Sequence, residues 1–239
     1  AKLNADGTYA WATKAGGSSD DRGYGITSLS DGSSIVTGVF DGTASFGDTT
    51  LTSAGWAGSK DIFIAKLNAD GTYAWATKAG GSGYDNGRGI TSLSDGSSIV
   101  TGYFRGTASF GDTTLTSAGS DDTFIAKLNA DGSYAWATKA GGSDYDHGYG
   151  YGITSLSDGS SIVTGDFQGT ASFGGKTLTS AGDNDAFIAK INADGTYAWA
   201  TKAGGSSADA GLGITSLSDG SSIVTGFFQG TASFGDTTL

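Results

Sequence analysis

The chain has 239 residues, of which 43 are Gly and none is Pro, Cys or Met, and its 24 acidic against 13 basic residues give a formal net charge of −11 at pH 7. Gly without Pro or a three-residue period excludes collagen, and the absence of Cys excludes disulfides, thiol catalysis and Cys-ligated zinc. With 37% hydrophobic and 11% aromatic residues the chain is too apolar for acidic disorder, too acidic to have nucleic acid as its main partner, and without the run of about 18 apolar residues that a membrane-spanning helix needs.

From Ala1 onward the chain is one unit repeated. The segment AKLNADGTYAWATKAGG begins at Ala1 and again at Ala65, recurs at Ala126 with Ser133 for Thr, and recurs at Ala189 with Ile191 for Leu. The copies are 1–64, 65–125, 126–188 and 189–239, read as one domain over 1–239. Within each copy, Asp-Gly occurs twice between strand-like segments, as in Asn4-Ala5-Asp6-Gly7 and Ser30-Asp31-Gly32-Ser33. Such dipeptides predict hairpins with a type I′ turn, which requires positive φ at both central positions. The flanking segments Asp61–Asn68, Thr72–Ala79, Gly89–Ser94 and Ser97–Phe104 are rich in Ile, Val, Thr, Tyr, Trp and Phe and predict strands. Apolar runs such as Ile62-Phe63-Ile64 and Ile99-Val100 place apolar side chains on both strand faces. A small sheet buried on both faces must be sandwiched between copies of itself, and four copies of a four-stranded antiparallel meander predict a β-propeller.

The strings DIFIAKLNADGTYAWATKAGG and GYGITSLSDGSSIVTGVF also resemble the bacterial seven-bladed propeller (SBBP) repeat. The shared features are D-x-F-I-A-K-L-N-x-D-G, a Trp strand ending in Gly-Gly, and G-I…D-G-S…V-T-G. The chain differs in having only four copies, and in carrying Ile35, Ile99, Ile162 and Ile223 where that family often has an aromatic residue. The resemblance implies an all-β propeller and is nearly silent on function.

In propeller order, strand A is GITSLS, strand B SSIVTGVF, strand C DIFIAKLN and strand D TYAWATKA, with GTASFGDTTLTSAG as a hairpin extension between B and C. This phasing starts the chain in strand C and leaves Gly213–Phe228 as strands A and B of the last blade, so the two chain ends are expected to complete one blade between them. The alternatives are an eight-bladed ring from two chains and a β-solenoid of coiled parallel strands.

The copies differ in three clusters, all in the D–A and B–C connections, which a meander places on one rim. The candidate recognition residues there are Asp20, Arg22, Tyr24, Asp41, Trp56 and Lys60 in the first copy, and Tyr84, Asn86, Arg88, Tyr103 and Arg105 in the second. The later copies add Tyr145, His147, Tyr149, Asp166, Gln168, Phe227 and Gln229. Tyr84, Arg88, Tyr103 and Arg105 are expected to form one stacking patch, and Tyr145, His147 and Tyr149 a second. Such a set of aromatic and hydrogen-bonding side chains suits a protein or glycan ligand, while drift after recent duplication would leave the same pattern. Asp21, Asp85, Asp146 and Asp209 are constant inside the variable loop and are expected to bind backbone N–H groups, with calcium as the alternative. The constant Trp11, Trp75, Trp136 and Trp199 are expected to pack on the neighbouring blade, and Trp56 to be exposed.

His147 is the only His, and no Ser lies in a G-x-S-x-G context, so the chain is read as non-enzymatic with no cofactor. The expected function is a binding or adhesion module of bacterial, extracellular or cell-surface origin, with self-association open. The alternatives are a structural repeat assembling into rings or fibres, an engineered repeat scaffold, and a sensor propeller of a bacterial defence system.

Overall fold

A computed structural model describes residues 1–56, 58–143 and 149–239, with Tyr149 described in its backbone only. The described residues are all-β, and every strand pairing is antiparallel. That removes the alternative of coiled parallel strands, because apolar residues on both strand faces are here buried by stacking sheets rather than by winding a coil.

In chain order, β1 (Lys2–Leu3) and β2 (Tyr9–Trp11) form a hairpin, and β3 (Gly16–Gly17) continues the same segment. The first full unit is β4 (Arg22–Ser28), β5 (Ser34–Asp41), the hairpin β6 (Thr43–Phe46) and β7 (Thr49–Thr52), β8 (Lys60–Leu67) and β9 (Tyr73–Gly81). In the second unit, β10 (Asn86–Ser92) is followed by two long strands, β11 (Ser98–Phe110) and β12 (Thr113–Leu128), that absorb the hairpin, and then by β13 (Tyr134–Gly142). The third is β14 (Tyr149–Ser155), β15 (Ser161–Phe167), β16 (Thr170–Phe173), β17 (Lys176–Thr179), β18 (Asp185–Ile191) and β19 (Tyr197–Gly205). The chain finishes with β20 (Ala210–Ser216), β21 (Ser222–Phe227), β22 (Ala232–Phe234) and β23 (Thr237–Thr238). Each full unit is therefore the expected A-B-C-D meander, as in β4-β5-β8-β9. At either side stands a half-unit: β1–β2 pair only with each other, as do β20–β21, so the expected blade shared by the two chain ends is not formed by strand pairing in this structure.

The Asp-Gly hairpins are not of type I′. Among the described residues no non-Gly residue has positive φ, and Gly7 alone in its turn does, at 84°. Gly7 N–H donates to Asn4 O at 3.0 Å and Asn4 N–H to Thr8 O at 2.8 Å, which is a three-residue loop made of a type I turn closed by a left-handed glycine. Asp6 keeps a negative φ, and its carboxylate is used locally, accepting from the Thr8 N–H at 3.0 Å and the Thr8 hydroxyl at 2.6 Å. The A–B turns repeat this, with Gly32 N–H on Leu29 O and Leu29 N–H on Ser33 O.

Units are joined in two ways. Strand A of each packs on strand A of the next, β4 on β10, β10 on β14 and β14 on β20, with a hydroxyl ladder in which Ser92 Oγ donates to Ser28 O, Ser155 Oγ to Ser92 O and Ser216 Oγ to Ser155 O. At the outer side, the hairpin extension of each unit pairs with the Gly-Gly end of the preceding strand D: Gly16–Gly17 with Ala44–Ser45, Gly80–Gly81 with Ala108–Ser109, and Gly141–Gly142 with Ala171–Ser172. The core lies partly within units, where Phe40, Phe46 and Phe63 of the first cluster together, and partly between them. Ile35, Ile62, Ile64 and Ala79 of the first bury against Val100, Phe104, Phe110 and Phe124 of the second, and Ile99, Ile125 and Ala140 of the second against Val163, Phe167, Phe173 and Phe187 of the third.

Candidate functional site

The A–B and C–D turns close one rim of the meanders, and the D–A and B–C connections the other. The constant Asp residues of the D–A loop build the floor of this second rim. Asp85 is fully buried, and its carboxylate accepts from Gly81 N–H at 2.7 Å and Arg105 N–H at 3.1 Å. Asp209 does the same with Gly205 and Gln229, at 2.7 and 3.0 Å, and Asp21 with Gly17 and Asp41, at 2.6 and 3.3 Å. The expected backbone role thus extends beyond the loop, since each carboxylate ties strand D to the strand B that follows. Burial still outweighs these hydrogen bonds for Asp85 and pushes its carboxyl up to about 7.

A second buried carboxylate faces this one. Asp61, the first residue of the D-x-F-I motif, uses Oδ2 to accept from Ala54 N–H at 2.8 Å and lies 3.4 Å from Lys78 Nζ. Asp122 and Asp185 repeat the arrangement with Ala118 and Lys139 and with Ala181 and Lys202. The other oxygen, Oδ1, has no hydrogen-bond partner in all three. In the first unit it lies against Gly80, where an added Cβ would come within 2.7 Å of Asp61 Oδ1 and 2.9 Å of Asp85 Oδ2. The glycine backbone therefore fills the space between the two carboxylates. Among the described residues no group of three or more His, Cys, Asp or Glu is placed to hold a metal ion, and the calcium alternative at Asp146 lies outside the described residues.

Above this floor the variable residues meet across units. Arg88 lies over the Tyr24 ring, 4.4 Å from its centroid, and 5.6 Å from that of Tyr103, which accepts from Asn86 Nδ2 at 3.1 Å. A cation between two rings contributes about 0.5–2 kcal/mol depending on its exposure. Trp56 is exposed and stands edge-on to Tyr84 at 6.1 Å. The expected patch is therefore divided: Tyr84 joins Trp56, while Arg105 makes a two-pronged ion pair with Asp121 at 2.7 and 2.9 Å. Asp20 holds Arg22 at 2.9 Å and Lys60 at 2.6 Å, and both cations hold its carboxyl below the usual range. Gln168 donates to Asp183 at 2.8 Å, and Asp41 lies opposite Lys60 across strands B and C as Arg105 lies opposite Asp121. Substitutions between copies on this rim thus come in partnered sets.

Two candidates are less accessible than the variable loops suggest: Asn86 is buried, and Asp166 is only 3% exposed. Asp166 Oδ2 accepts from Asn184 at 2.6 Å, Oδ1 has no partner, and burial pushes the carboxyl up to about 7. Asp166 lines a rim cleft of about 240 Å³ with Tyr151, Asn184, Ala208 and the exposed Phe227. Tyr145 and His147 lie outside the described residues, as does the side chain of Tyr149, so the second expected patch has no described geometry. Tyr151 was not singled out from sequence. Strand register shows Tyr149 opposite Asp166 as Arg22 is opposite Val39, which makes Tyr151 the counterpart of Tyr24, Arg88 and Leu212. The two-residue insertion hid this, and counting back from the GITS of strand A reveals it.

Comparison with protein-family models finds none that matches the chain, and comparison with curated proteins finds no match either.

Proposed function

We propose that the chain is a β-propeller that works as a non-enzymatic interaction module, with the D–A and B–C rim as its recognition surface for a protein or glycan on the bacterial cell surface. The SBBP-like repeat supports the propeller, as do the A-B-C-D units stacked face to face. The observation that carries the function is the row of counterparts Tyr24, Arg88, Tyr151 and Leu212 on successive inner strands, flanked by the exposed Trp56, Tyr84 and Phe227. These side chains change from copy to copy while the backbone beneath them does not. Aromatic faces interspersed with Arg, Asp and Asn are suited to stacking on a sugar or filling shallow pockets on a protein.

The test replaces rim residues, all exposed except the half-buried Arg88, by those of the fourth copy, as Asp20→Ala, Arg22→Ala, Tyr24→Leu, Tyr84→Ala and Arg88→Leu together. The interior positions are untouched, so the far-UV spectrum and the oligomeric state are expected to stay as in the parent. On a glycan array and in a pull-down from the native source the parent should capture partners that the levelled protein loses at least tenfold. Retention of every interaction would transfer the function to the constant surfaces and favour a structural repeat.

A further inference from the structure

The rim cleft between the third unit and the loop before β20 differs from the corresponding places in charge. At the B–C connection the first unit carries Lys60, paired with Asp20, and the second carries Arg105, paired with Asp121. In the third unit Asn184 stands where Lys60 does and Gln168 where Arg105 does, so both cations are replaced by neutral amides. The same unit has Asp166 at the strand position that holds Val39 and Tyr103 in the two before it. Among the described residues no Lys or Arg forms an ion pair with Asp166.

Asp166 is 3% exposed; its Oδ2 accepts from Asn184 Nδ2 at 2.6 Å, and its Oδ1 has no partner. It lines the cleft of about 240 Å³ together with Tyr151, Asn184, Ala208, Asp209 and Ala210. Asp209 is satisfied there, since its two oxygens accept from Gly205 N–H and Gln229 N–H. Asp166 is therefore the carboxylate of this cleft that lacks both a counter-charge and a full set of hydrogen bonds. Space beside it comes from Ala208 and Ala210, which stand where the second copy has Tyr84 and Asn86. These walls come from β14, β15, the connection before β18 and the loop before β20, all inside the chain. A buried carboxylate is stable as a charge only when a cation and hydrogen bonds replace the water it has lost.

We infer that this cleft is a subsite for a saccharide carrying a free amine, whose ammonium pairs with the Asp166 carboxylate while a ring face lies along Tyr151. The inference rests on the reading of the rim as a recognition surface and names the ligand class for one part of it. An ammonium supplies the positive charge that the third unit lacks. It also favours the ionised carboxylate against the burial that pushes this group up to about 7. Asn184 is committed to Asp166 through Nδ2, which leaves its amide oxygen to accept from a ring hydroxyl. The size suits one sugar ring, because about 240 Å³ lies below the roughly 300–1,000 Å³ of sites for drug-sized ligands. A sugar uses both kinds of wall, the polar one at Asp166 and Asn184 and the aromatic one at Tyr151. A lysine side chain brings the ammonium but no hydroxyl for Asn184.

The probes are glucosamine, N-acetylglucosamine, whose nitrogen is a neutral amide, and Nα-acetyl-lysine amide, each titrated calorimetrically into the whole protein. Glucosamine is expected to bind at one site, and N-acetylglucosamine about tenfold or more weaker. Asp166→Asn keeps the shape and removes the charge, while Ala208→Tyr puts the residue of the second copy into the cleft and leaves Asp166 in place. Each should weaken glucosamine binding by a similar factor with an unchanged far-UV spectrum, and the comparison of the two sugars needs no variant at all. Equal binding of the two sugars, binding that survives Asp166→Asn undiminished, or no binding of glucosamine overturns the inference. A lysine derivative that binds as tightly as glucosamine also overturns it, in favour of a protein ligand. The protein levelled at Asp20, Arg22, Tyr24, Tyr84 and Arg88 keeps this cleft, which separates the two failures. Capture lost on levelling, with no glucosamine bound by the parent, sinks the subsite alone. Capture retained by the levelled protein and by Asp166→Asn alike sinks the reading of the rim.

Discussion

At position 166 a carboxylate occupies a buried strand position that holds Val39, Tyr103 or Phe227 in the other units. Its pKa of about 7 in the fold lies above the ordinary unfolded value near 3.9. The folded state therefore binds the proton more tightly, and this group favours folding fully below about pH 4. Its contribution falls as the pH rises toward 7 and is level above that. Asp166→Asn is expected to leave stability at pH 4 unchanged and to raise it at pH 8 by on the order of 3 kcal/mol. Urea unfolding at both pH values checks it, and an equal effect at the two would show that Asp166 is not neutral in the fold. Asp85, also near 7, keeps part of the pH dependence in the variant.

The two kinds of tryptophan give a second residue-scale comparison. Trp75 packs on the core between the first two units and its indole is hydrogen-bonded to Ala130 O, so Trp75→Ala should cost roughly 3–5 kcal/mol. Trp56 touches Tyr84 at the exposed rim, and Trp56→Ala should cost under about 1 kcal/mol. Equal shifts in a chemical denaturation series would contradict this division. The constancy of Trp75 and the variable setting of Trp56 were legible in the sequence. The partner of the indole was not, because Ala130 lies 55 residues away and only the stacking of units brings it close.

At the scale of the element, the hairpin extension is the part whose role was least legible. GTASFGDTTLTSAG reads correctly as an extended B–C hairpin, but nothing in it says that its first strand adds to the preceding unit. The reason lies in the paired glycines: a Cβ on Gly81 would stand 1.8 Å from Thr107 O, and one on Gly17 or Gly205 1.9 Å from Thr43 O or Thr231 O. Only a bare backbone lets the hairpin approach strand D. Gly81→Ala is expected to destabilise by roughly 2 kcal/mol or more, with amide exchange rising at Ala108 and Ser109. Gly23→Ala, where nothing lies within 4 Å, should stay within about 0.5 kcal/mol. Comparable losses would mean that backbone entropy, and not close approach, accounts for the Gly-Gly pair. Turn type was misread at this scale too, because Asp-Gly suits both hairpin loops and the carboxylate contact to Thr8 selects between them.

Across the whole molecule, units bury apolar side chains both within themselves, as Phe40, Phe46 and Phe63 do, and against their neighbours, as in the clusters that join Ile35 and Ile64 to Phe104 and Phe124. An array of this kind has a covered interior and two uncovered faces, which is why the same isoleucine is buried at position 99 and exposed at position 223. The repeat period, the strand order within a unit, the sandwiching of sheets and the rim on which the copies differ were determined by the sequence alone. They depend on local alternation and turn chemistry, and four near-copies display both. Which rim residues meet, which carboxylates are buried, and whether the two half-units pair were decided only by the tertiary structure. Each depends on the distance and angle between units, a quantity set by side chains packing across a junction and carried by no single copy of the repeat.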